Sequence, residues 1–135
     1  MNHDTEKLSL HRLSRAQESL KDAELLLKND ALSSAVNRYY YAAFYAARAL
    51  LALKGLDSSK HSGVISLFQQ HYVKTGIIPP ETAKALPNSF EERVDMDYED
   101  FAVIERSDIE VISLKVKSFV ECCAQILRDI TNKTK

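Results

Sequence analysis

The sequence predicts an all-α protein, an up-down bundle of four to five helices forming a single domain over residues 1–135. Glycine and proline number only three each, which favours helices joined by short connections and disfavours a sandwich or barrel rich in turns. Hydrophobic residues recur every three to four positions along most of the chain. A chain of this length buries about two thirds of its unfolded surface, enough for one core without disulfides or a structural metal.

The first two helices are predicted to form an antiparallel hairpin. Helix one covers about residues 5–28, where apolar residues recur at helical spacing: Leu13, Ala16, Leu20, Ala23 and Leu27. Asp30 is the expected N-cap of a second helix that reaches about Lys54, and Gly55 then ends it. The short connection between two long helices requires that they run antiparallel.

The third and fourth helical segments are marked by serine, glycine and proline. Ser58 or Ser59 is the expected cap of the third helix, and residues 75–76 (Thr-Gly) end it. Residues 79–81 (Pro-Pro-Glu) open a fourth segment, and Pro87 should kink or split it.

The last part of the chain is predicted to be an acidic loop followed by a long helix. Residues 76–110 hold three Lys and Arg against ten Asp and Glu, although the net charge of the whole chain is only −1. Residues 95–105 are assigned to the loop, and residues 107–110 (Ser-Asp-Ile-Glu) to a capping box that starts the last helix. The small net charge disfavours a generic nucleic-acid binder.

The second helix carries five aromatic residues and two arginines within residues 38–48, so it presents two distinct stripes. The first is predicted to be core: Tyr40, Phe44, Ala47 and Leu51. The second is aromatic and cationic: Arg38, Tyr41, Tyr45 and Arg48. Buried guanidinium groups require partners, so this second stripe either binds phosphates and bases or forms a satisfied seam between helices or subunits. We expect Asp97 or a neighbour to pair with one of these arginines, with Tyr98 packed against the stripe.

Three blocks of residues occur in order along the chain: Asn37-Arg38 with Tyr40-Tyr41-Ala42-Ala43-Phe44, then Lys60-His61-Ser62-Gly63-Val64-Ile65, then Arg93 with Asp97-Tyr98. Together they closely resemble one branch of the HEPN superfamily (higher eukaryotes and prokaryotes nucleotide-binding domain), over most of residues 10–127. The resemblance implies a small helical bundle that dimerises and is commonly encoded beside a minimal nucleotidyltransferase. In several branches it also implies a metal-independent RNase toxin.

The RNase branches carry an arginine followed four to six residues later by a histidine. Arg93 matches that arginine, but Tyr98 stands five residues on, and no histidine follows His71. A phenol, with a reference pKa of about 10, is a poor proton shuttle near neutrality. His61 is the candidate to replace the missing histidine in space; the alternative is that its ring nitrogens satisfy local backbone groups.

Two functions of different classes follow. The preferred one is a non-catalytic, dimeric module that binds a partner, a minimal nucleotidyltransferase, in a toxin-antitoxin-like pair. The alternative is a metal-independent RNase in which Arg93 acts with Tyr98 or His61. A third hypothesis is RNA or nucleotide binding at the stripe of Arg38 and Tyr41.

No cofactor or metal is expected. The chain lacks a Gly-rich phosphate loop and metal-spaced Cys/His clusters, and the acidic residues 91–100 lack the ordered spacing of a calcium loop. Cys122 and Cys123 are adjacent, so they are predicted to be reduced thiols. The sequence shows neither a signal peptide nor a run of about 20 apolar residues, which predicts a cytoplasmic protein that does not enter a membrane.

Overall fold

The protein is a bundle of helices across the part of the chain that is described. This computed structural model describes residues 3–98 and 104–133, with the backbone alone for residues 95–98 and 133. The helices are α1 (His3–Lys28), α2 (Leu32–Leu53), α3 (His61–Phe68), α4 (Pro80–Ala83), α5 (Ala85–Tyr98) and α6 (Arg106–Lys133). A π-helical turn, Gln69–Val73, extends α3. The predicted all-α class is confirmed, and none of the described helices is long and apolar enough to cross a bilayer.

Helix α2 lies at the centre of the bundle. It packs against α1, α3, α5 and α6, and 13 of its 22 residues are buried. The stripe predicted to be core is buried throughout: Tyr40, Phe44, Ala47 and Leu51. A helix with apolar residues on most of its circumference is stable at the centre of a bundle, because its neighbours remove those residues from water.

Helices α1 and α2 form the predicted antiparallel hairpin with small residues at their interface. The buried hydroxyl of Ser9 donates a hydrogen bond of 2.6 Å to the carbonyl of Ala49, and further along Arg15 reaches Tyr45. Ala16, Ala23, Ala42 and Ala46 are almost fully buried. Side chains this short let the two backbones approach closely, which is why a serine hydroxyl spans the gap.

The end of α2 is closed by backbone and side-chain caps. Gly55 has a φ of 69° and ends the helix as predicted, while the N–H of Leu56 bonds back to the carbonyl of Leu51. The buried hydroxyl of Tyr72 donates to the carbonyl of Leu50. These bonds satisfy carbonyls in the last turn of α2 that have no partner within the helix.

The predicted cap at Asp30 is wrong. Asp30 has a φ of 59°, in the left-handed region, and Ala31 is the N-cap of α2 without a side-chain cap. The Asp30 carboxylate instead pairs with Arg106 at the start of α6. An aspartate tolerates the left-handed region better than most residues, so here it makes the turn rather than the cap.

The predicted serine cap of the third helix is also wrong. Helix α3 begins at His61 with Lys60 as its N-cap, two residues after Ser58 and one after Ser59. The hydroxyl of Ser58 accepts a hydrogen bond from the N–H of Lys60, so it stabilises the turn before the helix. The α3 segment does end near residue 75, where Gly76 has a φ of 80°.

Pro87 lies just after a break between two helices, as its position in the sequence predicts. Helix α4 ends at Ala83, and α5 starts at Ala85. Proline has no N–H to donate four residues back to Ala83, and its ring crowds that carbonyl. The fourth segment is therefore split into a single turn and a longer helix.

The predicted acidic loop at residues 95–105 and the predicted capping box at residues 107–110 each misplace a helix end. Helix α5 continues to Tyr98, so the first part of the expected acidic loop is helical. Helix α6 begins at Arg106, and the N–H groups of Asp108 and Ile109 both bond to the carbonyl of Glu105. Residue 107 is therefore already inside the first turn and does not cap the helix.

Candidate functional site

Six side chains from three helices meet around one buried tyrosine, and we call them the Tyr40 cluster. Helix α2 contributes three of them, α3 contributes its first residue, and α5 contributes two. The members are Tyr40, Tyr41, Phe44, His61, Phe90 and Arg93. Each of the three sequence blocks that carry the resemblance to the HEPN superfamily thus contributes at least one side chain to this cluster.

His61 is held in the cluster by one hydrogen bond and two stacked rings. Its Nδ1 and the hydroxyl of Tyr40 are 2.5 Å apart. Its ring stacks on that of Phe44, with centroids 4.6 Å apart and planes tilted by 25°, and on that of Tyr40, with centroids 5.5 Å apart and planes tilted by 18°. The bond occupies Nδ1 with a side chain rather than with local backbone, and it leaves Nε2 as the nitrogen that can exchange a proton with a ligand.

The surroundings keep His61 neutral near pH 7. Burial lowers its pKa below the ordinary value, and the positive charges of Arg93 and Arg48 lower it further. Burial raises the pKa of Tyr40, which outweighs the opposite effect of Arg93. Tyr40 therefore keeps its proton. In the tautomer whose Nδ1–H donates to the hydroxyl oxygen of Tyr40, the neutral imidazole can accept a proton at Nε2.

Arg93 brings a positive charge to the same cluster. Its guanidinium carbon lies 5.4 Å from the ring centroid of Tyr40 and 5.5 Å from that of Tyr41, within the range of cation–π attraction. His61 also stacks on Tyr40, so the two residues that the sequence offered as a possible catalytic pair both border the same ring.

The aromatic and cationic stripe of α2 is half-buried and divides into two parts. Arg38 stacks over Tyr41 at 4.8 Å and donates a hydrogen bond to the amide oxygen of Asn37. Tyr41 and Tyr45 have ring centroids 6.0 Å apart. From α1, Arg15 stacks over Tyr45 at 4.9 Å and donates to its hydroxyl, so this part of the stripe also includes a residue of the first helix.

Arg48 forms the other part of the stripe, and its carboxylate partner is Asp57. Asp57 accepts hydrogen bonds from Arg48 at 2.9 Å and from Arg12 at 3.0 Å, and a further one from the N–H of Ser58. Burial alone would raise the pKa of Asp57, but these bonds and the two positive charges hold it below its ordinary value. The connection between α2 and α3 is thereby tied to both α1 and α2 just before His61.

The expected contacts of Asp97 with an arginine and of Tyr98 with the stripe lie outside the described side chains, and they stay predictions. Sequence reasoning missed three contributors: Arg15, Asp57 and the hydroxyl of Tyr40. For Asp57 a signal was present, because the turn at Gly55 reverses the chain beside the last turns of α2. Arg15 sits three residues after Arg12 on α1, so both arginines face α2 on the same flank.

Proton transfer and anion binding are the chemistry that the Tyr40 cluster can support, through a neutral imidazole and a guanidinium on an aromatic base. Among the residues whose positions are described, no group of three or more His, Cys, Asp or Glu could hold a metal ion. The Cys123 thiol is buried, which raises its pKa well above the ordinary value and keeps it protonated.

Comparison with known proteins identifies the family. The model of the HEPN domain matches residues 10–127. A UPF0332 protein of Thermotoga maritima is 41% identical over 128 residues, which cover 95% of this chain and 97% of the relative. A protein of Methanocaldococcus jannaschii named "Putative toxin MJ0605" is 34% identical over 115 residues, 85% of each chain. A second one, "Putative toxin MJ0142", is 30% identical over 108 residues, 80% of this chain and 74% of the relative. The chain belongs to the HEPN domain family.

Proposed function

We propose that this chain is a toxin-like protein that cleaves RNA without a metal ion, with Arg93 and His61 as its reacting pair. The observation that carries the proposal is that both side chains contact the ring of Tyr40. The relatives named as toxins support the toxin-like role, and the geometry moves the RNase hypothesis ahead of the non-catalytic one that the sequence favours.

In the proposed reaction, neutral His61 carries its proton on Nδ1, donates it to the hydroxyl oxygen of Tyr40, and accepts the proton of a ribose 2′-hydroxyl at Nε2. The 2′-oxygen attacks the adjacent phosphorus, the bond from phosphorus to the 5′-oxygen breaks, and that oxygen takes a proton from the imidazolium. The products are a 2′,3′-cyclic phosphate and a 5′-hydroxyl. Arg93 stabilises the negative charge that develops on the phosphate oxygens, and Tyr40 keeps the imidazole oriented.

The residues next to Arg93 and His61 are suited to bind the neighbouring nucleotides of the RNA strand. Tyr41 contacts Arg93 as well as Arg38, and Tyr45 lies beside Tyr41. Aromatic rings stack on bases, and guanidinium groups bind phosphates. We assign these residues to RNA binding, whereas the ion pair with Asp57 commits Arg48 to holding the connection before His61.

The test is cleavage of structured and unstructured RNAs by the purified chain in EDTA. Arg93→Ala and His61→Ala should each lower the rate by about 10²- to 10⁴-fold, since each removes a group that acts in the transition state. Arg106→Ala is the matched control. Arg106 is a half-exposed arginine of α6, outside the Tyr40 cluster, and it pairs with Asp30 and Glu110. Equal rates of RNA cleavage by the wild type and by both variants would refute the proposal.

A second candidate is a dimeric module that binds a minimal nucleotidyltransferase in a toxin-antitoxin-like pair. It is favoured by Tyr98, which stands where the RNase branches carry histidine, and by the relatives named as toxins. Co-purification with a nucleotidyltransferase encoded beside this chain would support it. In the same mixture with ATP, a gain in intact mass that Tyr98→Phe abolishes would identify Tyr98 as a target of nucleotide transfer, whereas an unchanged mass with an active enzyme would exclude that role.

A further inference from the structure

The connection between α2 and α3 is anchored to the bundle through one carboxylate. Asp57 accepts a hydrogen bond of 3.0 Å from Arg12 on α1. It also accepts two from Arg48 on α2, at 3.2 Å from Nε and at 2.9 Å from a terminal nitrogen. A two-point pair of arginine with carboxylate fixes direction as well as distance. The position of residue 57 is therefore set by two helices at once, although it belongs to neither.

Arg12 is itself held in place. Its side chain is only 12% exposed, and it donates a second hydrogen bond, of 3.3 Å, to the backbone carbonyl of Arg48. A guanidinium so far removed from water needs acceptors, and here the carboxylate of Asp57 and this carbonyl serve it. Because the carbonyl lies on α2 and the carboxylate on the connection, Arg12 links α1 to both.

Short contacts carry this anchor from Asp57 forward to His61. The N–H of Ser58 donates to Asp57 at 2.8 Å, and the hydroxyl of Ser58 accepts from the N–H of Lys60, the residue that caps α3. Ser58 also packs so closely on Gly63 that a Cβ at residue 63 would stand 2.8 Å from the Cβ of Ser58. We therefore expect the connection and the first turn of α3 to move as one unit.

The position of this unit decides the geometry of His61. The Nδ1 of His61 lies 2.5 Å from the hydroxyl of Tyr40, and its ring stacks on Phe44. Both partners lie on α2, whereas His61 is the first residue of α3. A shift of the connection by about 1 Å would break the hydrogen bond, and a misplacement of that size can lower a catalytic rate by about 10²-fold.

We propose that Arg12 and Asp57 are positioning residues for His61. They fix the connection between α2 and α3, so that Nδ1 remains bonded to Tyr40 and Nε2 stays available for the proton of the substrate. The inference rests on the proposed function, because the orientation of His61 matters for cleavage only if His61 accepts that proton. Arg12 lies on α1, which contributes no member to the Tyr40 cluster, so its effect on the reaction passes through Asp57 and the connection.

Nitrogen NMR of the purified chain tests the positioning without RNA. In the wild type, neutral His61 should carry its proton on Nδ1. Arg12→Gln and Asp57→Ala should each give a mixture of the two tautomers. Each should also raise the pKa of His61 towards its ordinary value, because the ring leaves its buried place.

The direction of the pKa change separates positioning from a direct effect of charge. Removal of a positive charge raises the pKa of a nearby histidine and removal of a negative charge lowers it, so a direct effect would give opposite shifts in Arg12→Gln and Asp57→Ala. Every variant retains the titratable and charged groups described around His61, which are Tyr40, Tyr41 and Arg48 on α2 and Arg93 on α5. Shifts of opposite sign, or an unchanged tautomer in both variants, would overturn the proposal.

Two further variants serve as controls for charge and for stability. Arg12→Lys keeps the positive charge, but one ammonium cannot replace a fork that reaches both Asp57 and the Arg48 carbonyl, so the tautomer should change as in Arg12→Gln. Asp30→Ala is the matched control, because Asp30 is also a connection aspartate paired with an arginine, and it should leave His61 as in the wild type. Circular dichroism should show unchanged helix content in all variants.

Steady-state cleavage of RNA in EDTA tests the consequence for catalysis. Arg12→Lys and Asp57→Ala should each lower kcat by about 10- to 100-fold with KM unchanged, since the side chains assigned to RNA binding remain. The double variant should lose no more than Asp57→Ala alone, because both changes break one set of contacts. A higher KM with constant kcat would overturn the positioning role. A wild type that does not cleave RNA would refute the proposed function, and the NMR comparison would then decide the positioning by itself.

Discussion

Replacement of Gly63 by alanine has two opposing effects on the free energy of unfolding. Its effect on the unfolded chain stabilises the protein, whereas its contact with Ser58 destabilises it. Gly63 lies in the first turn of α3, where alanine would restrict the unfolded chain and stabilise the protein by about 0.5–1 kcal/mol. However, a methyl group at this position would stand 2.8 Å from Cβ of Ser58 and closer still to its hydroxyl. Separating these atoms requires movement of the turn before α3, at a cost of about 1–3 kcal/mol. We therefore expect a net destabilisation of about 1 kcal/mol.

A double-mutant cycle with Ser58→Gly isolates the clash. That change removes both Ser58 atoms from the site, so Gly63→Ala should become stabilising by about 0.5–1 kcal/mol in its presence, with a coupling energy of about 2 kcal/mol. Ser58→Ala, which keeps Cβ, should give only partial relief. Urea unfolding followed by circular dichroism measures all four free energies of unfolding. A stabilising Gly63→Ala in the wild-type background would refute the reasoning.

Three further substitutions probe single contacts. Tyr72→Phe leaves the Leu50 carbonyl without its buried donor and should cost about 1–3 kcal/mol in urea unfolding, whereas a loss below about 0.5 kcal/mol would mean that another group caps α2. Asp57→Asn should lower the urea midpoint near neutral pH. Because the pKa of Asp57 is lowered in the folded state, that difference should persist above about pH 4 and vanish as the pH falls through the lowered value. Ser9→Val should destabilise by about 1 kcal/mol, since it deprives the Ala49 carbonyl of a buried hydrogen bond; an unchanged midpoint would contradict this.

Apolar spacing was sufficient to predict the helices and the central place of α2, because a stripe such as Tyr40 and Phe44 can only be satisfied inside a core. Glycine at residue 55 was equally informative, since its φ of 69° is one that other residues avoid. The helix starts were less predictable. Asp30 and Ser58 are residues typical of both caps and turns, and which role each takes depends on distant partners such as Arg106.

The functional site was only partly predictable for a related reason. Arg93 and His61 could be named as candidates from the blocks of sequence that contain them. That both border the ring of Tyr40 could not be predicted. Tyr40 was assigned to the core by its spacing, and its ring is indeed fully buried, yet its hydroxyl reaches the imidazole of His61. A tyrosine combines an apolar ring with a polar tip, so periodicity identifies the first property and is silent on the second.

The central position of α2 has a consequence for amide hydrogen exchange. Its backbone N–H groups are covered by four other helices, so they should exchange with solvent only when the whole bundle unfolds. Helix α5, which carries Arg93, packs mainly on α2 and α6, so we expect its N–H groups to exchange faster than those of α2. Tyr40 thus belongs to the slowest-exchanging segment while Arg93 belongs to a faster one. A local opening of α5 would move Arg93 away from the ring of Tyr40 and from His61, and reclosing would return it, while the rest of the bundle stays folded.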